Sequence, residues 1–318
     1  MIAATIGLTF PGQGAHDPQM LAGVRGLPAF AQRHAQVCEQ AGIDPIRELE
    51  RGNRGLIERN LLSSLLTVLT SSLMLDHFHL HNDSPAACFG GYSVGQWSAL
   101  YAAGVLDFSS LVRVVAQRAR FMDECVEAQP GGMCAVIGLA EPAVAAVLEE
   151  LRAEGYPVFI SNYNCVGQYS LAGTLAAIEH AKRRLAALKP KKLVHLPMSG
   201  AWHSPLLREA EEHFERYLQD EPLRTPSRPV IDNVSGDWLP SDAALLRQAL
   251  AKHLSHPVRW QQSVRTMIAA GCSQFYEIGY GDTLTKFGFF IDRRQHYYPL
   301  YAGNITDDKR NVRNRGVL

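Results

Sequence analysis

The stretch Gly91-Tyr92-Ser93-Val94-Gly95 limits this chain more than any other. It fits GxSxG, in which a serine sits on a strained turn between a buried strand and a helix with its hydroxyl exposed. A turn that tight leaves no room for a β-carbon on either side of the serine, which is why glycines flank it. Two glycines and a serine at this spacing also occur in ordinary loops, so the flanks decide. Upstream, Ala86 to Gly90 is a short apolar run that reads as a buried parallel strand, and downstream Gln96 to Ala103 reads as a helix ending near Gly104.

At 318 residues the chain can bury a full core as one large α/β domain or two smaller ones. Lys plus Arg and Asp plus Glu are 31 each, so no whole-chain field recruits nucleic acid or a membrane, and a charged partner must meet a local patch. The six cysteines (Cys38, Cys88, Cys125, Cys134, Cys165, Cys272) show no CxxC pair or metal-ligand spacing and read as reduced thiols of a cytoplasmic protein; no metal is expected. Met1 to Phe10 is apolar without a basic leader and reads as a first buried strand, not a signal peptide. Leu61 to Leu75 holds six Ser and Thr residues and is too short for a bilayer, which predicts a buried helix.

After the first strand, Pro11-Gly12-Gln13-Gly14 is either a plain tight turn or a loop whose N–H groups point into a site at the strand's carboxyl end. Residues Ala29 to Ala41 and Leu61 to Phe78 read as helices separated by a polar loop over Asp44 to Arg54. Ser109 to Glu127 reads as a long helix capped by Ser109. Arg118 lies within it; an arginine on a helix is usually a solvated face residue, and periodicity alone favours that over a site role. Composition shifts at Pro130-Gly131-Gly132. From there a strand, helix, strand, strand, helix, strand series runs to Leu196, the ferredoxin-like order, in a compact insert. Beyond it His203 lies in a loop before a helix, where it could equally be a helix-flanking residue. Val230 to Val234 and Gln274 to Ile278 read as strands; Ala243 to Leu254, Trp260 to Ala270 and a last stretch after Asp282 read as helices. Thr306 to Leu318 is charged and reads as mobile or partner-bound.

Taken in order, PGQG at Pro11, GYSVG at Gly91, Arg118 with Phe121-Met122, Gly131-Gly132-Met133, Asn162-Tyr163-Asn164, Gly200-Ala201-Trp202-His203-Ser204, Pro257-Val258-Arg259-Trp260 and Glu277-Ile278-Gly279 make one pattern. Over nearly its full length the chain resembles the malonyl-CoA:acyl carrier protein transacylase family. The resemblance implies an α/β-hydrolase-like large subdomain (residues 1–128 and 199–318) with the ferredoxin-like small subdomain (129–198) inserted. It implies ping-pong transfer of an acyl group from acyl-CoA, through Ser93, to the phosphopantetheine thiol of an acyl carrier protein, with no bound cofactor. Residue by residue it makes Ser93 the nucleophile and His203 the general base. The His253 carbonyl would orient that histidine, and the N–H groups of Gln13 and Val94 would form the oxyanion hole. Arg118 would hold the malonyl carboxylate, with Asn162 and Trp202 as further substrate-binding positions.

Several positions depart from the family's usual residues. Tyr92 and Gln96 stand where histidine and glutamate are usual, His253 where glutamine is, and Leu61-Leu62-Ser63 where threonine, glutamine, proline is common. Trp202, where phenylalanine is frequent, favours malonyl over methylmalonyl by leaving less room at the acyl α-carbon. These departures point towards polyketide assembly and away from housekeeping fatty-acid synthesis. The competing readings are transfer of another acyl group, including carrier to carrier, an acyltransferase subunit of malonate decarboxylase, and a hydrolase clearing stalled carriers. An intact Arg118 favours a carboxylated substrate. A basic mouth for an acidic carrier is expected at Lys189, Lys191 and Lys192 or at Lys286, Arg293 and Arg294.

Overall fold

A computed structural model describes residues 5–14, 19–52 and 60–300. The start of the first strand, the end of the Asp44 to Arg54 loop and the charged tail over Thr306 to Leu318 lie outside the described residues. In chain order the elements are β1 (Thr5–Phe10), α1 (Gln19–Ala22), α2 (Phe30–Ala41), α3 (Pro45–Glu50), α4 (Asn60–His81), β2 (Ala86–Gly91), α5 (Gly95–Ala102) and α6 (Phe108–Ala128). Then follow β3 (Gly131–Ile137), α7 (Glu141–Ala153), β4 (Val158–Cys165), β5 (Gln168–Thr174), α8 (Leu175–Ala187) and β6 (Lys192–Leu196). A 3₁₀ turn at Pro205–Leu207 leads to α9 (Arg208–Gln219), α10 (Ala243–Lys252), α11 (Trp260–Ala269), β7 (Cys272–Ile278), α12 (Thr283–Ile291) and β8 (His296–Leu300).

Two sheets organise these elements. Strands from both ends of the chain form a parallel sheet in the order β2-β1-β7-β8, and the middle forms an antiparallel sheet in the order β4-β5-β3-β6. Helices cover both faces of the parallel sheet, so β1 is buried along nearly its whole length and its sequence shows no polar alternation. Ile6, Leu8 and Phe10 point into the main core with Leu65, Leu69 and Trp97. Gly7 points the other way, where a β-carbon would fall 2.8 Å from Met267 Cε, so its bareness lets α11 pack against the sheet. The insert has its own core, including Val136, Leu148, Leu171 and Leu185.

Helix α4 is the one described helix long and apolar enough to cross a bilayer, and 83% of its most apolar window is buried inside the protein. Part of its hydroxyl content is accommodated by bonds back to the helix: Thr67 Oγ1 donates to Ser63 O at 2.8 Å and Ser72 Oγ to Leu69 O at 2.8 Å.

Three local readings of the sequence are corrected, and one strand is added. The polar loop after Asp44 contains α3, because Asp44 accepts from Ile46 and Arg47 N–H and Pro45 sits at the first helical position. The cap of α6 is Asp107, which accepts from Ser110 N–H at 2.8 Å, and not Ser109. Val230 to Val234 makes only isolated bridges, Val230 to Phe89 and Ile231 to Trp238, because Asp232 turns the chain by accepting from Val234 and Ser235 N–H. Finally, β8 pairs parallel with β7, although Pro299 and the polar residues around it hid it from the sequence reading.

Candidate active site

Strand β2 ends at Gly91 and α5 begins at Gly95, so Ser93 stands on the turn between them. Its φ is 53°, a left-handed conformation that costs a non-glycine residue about 1 kcal/mol or more. The surroundings enforce it. A β-carbon on Gly91 would overlap the Gly95 carbonyl, and one on Gly95 would overlap the Phe10 carbonyl. Tyr92 N–H donates to Phe10 O at 2.9 Å, tying the turn to the end of β1. Asn233, which the sequence reading passed over, clamps the turn from outside. Its Oδ1 accepts from Ser93 N–H at 2.9 Å and its Nδ2 donates to Gly91 O at 2.6 Å. The only sequence signal for it was a polar residue inside an apolar run.

Ser93 Oγ lies 2.8 Å from His203 Nε2, across 110 positions of chain. His203 also has a positive φ, 58°. Its Nδ1 donates to the His253 carbonyl at 2.8 Å, which fixes the proton on Nδ1 and leaves Nε2 free to accept. Burial, then the charge of Arg118, push His203 down to about 3, against the pull of the His253 carbonyl. The imidazole is therefore neutral at neutral pH, as a base must be. His253 itself is wholly buried, with its ring stacked on His203 at 4.8 Å between centroids. Burial likewise keeps that ring uncharged.

Among the described residues, Val94 N–H at the start of α5 has no acceptor, whereas Tyr92, Ser93 and Gly95 N–H are all engaged. Gln13 is anchored through its side chain, with Nε2 donating to Ser64 Oγ at 2.8 Å and to Asn60. Asn60 in turn donates to Met122 Sδ, so the PGQG loop is tied to α6. Arg118 on α6 is 1% exposed, and its Nε and Nη2 have no hydrogen-bond partner among the described residues. Burial pushes it down only to about 10, so it remains a cation, and among the described residues no carboxylate pairs with it.

The other expected positions are less engaged. Asn162 is buried, accepts from Ser161 Oγ at 2.7 Å and bridges through its backbone to Val258; it makes no hydrogen bond with Ser93 or His203. Trp202 is buried in the main core, its ring so close over Gly200 that a β-carbon there would fall 2.5 Å away. Tyr92 reaches across to the insert and donates to Asn164 Oδ1 at 2.7 Å.

A cleft of about 540 Å³ opens between the insert and the segments around His203 and Pro257, with His203 in its wall beside Tyr163 and Phe159, and with Arg152 and Arg208 also lining it. The sequence reading had named neither arginine. Of the basic residues it did name, Lys286 and Arg294 are paired with Asp282 and Asp292, and Arg293 stacks on Phe289. Lys189, Lys191 and Lys192 are exposed on the insert.

An α/β chain that presents one serine in proton-sharing contact with one neutral imidazole falls among enzymes that pass acyl groups through an activated hydroxyl. No protein-family model matches the chain. It is 32% identical over 277 residues to malonyl CoA-acyl carrier protein transacylase of Salmonella typhimurium, covering 87% of this chain and 89% of that one. It is also 32% identical over 279 residues to the polyketide biosynthesis malonyl CoA-acyl carrier protein transacylase BaeC of Bacillus velezensis, covering 87% and 93%. A solved type II polyketide acyl-carrier protein in complex with its malonyl-transacylase (PlMCAT:AntF) superimposes with a TM-score of 0.88 at 28% identity, covering 93% of this chain and 96% of that one. The chain belongs to the malonyl-CoA:acyl carrier protein transacylase family and is an acyltransferase.

Proposed function

We propose that this enzyme moves a malonyl group from CoA to the phosphopantetheine thiol of an acyl carrier protein, in a cytoplasmic polyketide pathway. The described residues within 1–128 and 199–318 make up an α/β-hydrolase-like unit, and residues 129–198 a ferredoxin-like one. The parallel order β2-β1-β7-β8 and the antiparallel order β4-β5-β3-β6 support that division.

In the first half-reaction His203 Nε2 takes the Ser93 proton as Oγ attacks the thioester carbonyl. The Val94 and Gln13 N–H groups stabilise the oxyanion, at the start of α5 where the helix dipole favours negative charge. Collapse breaks the C–S bond, and His203 returns the proton to the CoA sulfur. In the second half-reaction the carrier thiol gives its proton to His203 and attacks the acyl-enzyme; Ser93 leaves and is reprotonated. CoA and phosphopantetheine come and go as substrates, and no resident cofactor takes part.

The observation that carries malonyl as the acyl group is Arg118, a buried guanidinium with two unpartnered nitrogens. A buried cation without a counter-ion is costly, and a carboxylate on the substrate fits its planar fork. The test is to incubate the enzyme with a panel of acyl-CoAs, record adduct masses, and then add carrier protein or only water. A malonyl adduct that persists in water and discharges to the carrier is expected. A dominant uncharged acyl adduct, or discharge to water at the same rate, overturns the reading.

A further inference from the structure

The C-terminal end of α2 gathers three donor side chains that acyl transfer does not use. His34 and Cys38 are four residues apart on α2 and so stand on one face of the helix. Gly42, with φ 70°, ends the helix in the left-handed conformation. Two residues later Asp44 starts α3 and turns its carboxylate back onto that face. His34 Nε2 lies 2.8 Å from Asp44 Oδ1, and Cys38 Sγ lies 3.4 Å from His34 Nε2. The ligand atoms of all three residues lie within 4.8 Å of one another, and each residue is half-buried.

The way these atoms meet distinguishes a chelate from a relay. A cysteine–histidine–aspartate relay uses both imidazole nitrogens, one for the thiol and one for the carboxylate. Here thiol and carboxylate converge on the same nitrogen. If Nε2–H donates to Asp44, that nitrogen has no lone pair left for the thiol. Donor atoms crowded around one point, and not strung in a chain, are the arrangement a cation organises. Tetrahedral zinc, with bonds of about 2.0 Å to nitrogen and oxygen and about 2.3 Å to sulfur, sets its ligand atoms roughly 3.2–3.6 Å apart. The separations in this cluster, 2.8 Å, 3.4 Å and at most 4.8 Å, bracket those spacings. Asp44 is already held, since its Oδ1 accepts from Ile46 and Arg47 N–H at 3.1 Å each.

We propose that His34, Cys38 and Asp44 bind a divalent ion of the zinc class, with solvent at the remaining position. The nitrogen, sulfur and oxygen donors match the borderline softness of zinc and its neighbours, and not calcium or magnesium, which take oxygen. Coordination replaces the Cys38 S–H bond by a sulfur–metal bond, and the proton goes to solvent. The sequence hid the set because its third ligand is supplied by the next helix cap, outside any compact motif.

The test is a titration of the full chain with zinc against a chromophoric competitor, and with cobalt(II) followed by absorption. One tight zinc per chain and a thiolate-to-cobalt charge-transfer band are expected. Cys38→Ser should abolish the band and, like His34→Ala, weaken zinc at least about tenfold. Asp44→Asn, which keeps a capping oxygen, should weaken it less. Acyl-transfer activity of each variant, equal to that of the parent, shows that it is folded. No zinc bound by the parent at about 100 µM free metal, or undiminished zinc in the doubly substituted His34→Ala/Cys38→Ser chain, overturns the proposal.

Discussion

Ser93 and His203 share an unusual backbone, with φ of 53° and 58°, yet they are held in it by different means. The serine turn is shaped by its own glycines and then tied down by the end of β1 and by Asn233. Gly91 and Gly95 remove the β-carbons that would collide, and the end of β1 takes the Tyr92 N–H. The histidine turn is held mostly from afar: the His253 carbonyl fixes its ring, and Gly131 at the mouth of the insert makes room for Ala201 beside it. Local geometry can be written in five consecutive residues. A site completed by fold needs the whole chain, and it is also the part that sequence departures such as His253 leave unharmed, because a backbone carbonyl does the orienting.

The largest expected effect sets the two turns against each other directly. His203→Ala should slow both half-reactions by about 10²- to 10⁴-fold while the fold persists, and single-turnover rates with malonyl-CoA check this. A normal rate would make the Ser93 turn self-sufficient and remove the distant partner from the chemistry. Next, Arg118→Ala should cost malonyl loading roughly 10²-fold more than acetyl loading, the loss of a buried charge-assisted contact. Equal losses would mean that Arg118 does not read the carboxylate. Asn233→Ala should cost about 1–3 kcal/mol in urea unfolding, because it orphans Ser93 N–H and the Gly91 carbonyl. An unchanged midpoint would show that the glycines alone hold the turn.

The last effect is a pH dependence, read as a slope and not as a single loss. His203 is pushed down to about 3 in the folded chain and takes its proton near the ordinary 6.5 when unfolded, so between those values the unfolded state binds more protons. Stability should therefore fall as pH drops through that window, and His203→Gln should flatten part of the slope in unfolding midpoints measured across it.

Much of this was legible from residues alone. The elbow, the insert's strand and helix order, and α4 as a buried helix all rest on short-range pattern, and the structure has each of them. What escaped was set by contacts between distant segments. Asn233 matters because Val230 bridges to the outer edge of β2, which no local pattern around Asp232 reveals. Likewise the tie from Tyr92 to Asn164 depends on the insert's edge strand docking along Val258. The α3 helix was missed for a different reason: the aspartate cap and the proline after it were present, but the surrounding polar residues masked them.

The most direct measurement is the intact mass of parent and Ser93→Ala chains after exposure to malonyl-CoA, followed by peptide mapping. One malonyl group on the peptide carrying Ser93 in the parent, and none in the variant, is the expected result. A full-level adduct on the variant, or one mapped to another residue, would contradict it.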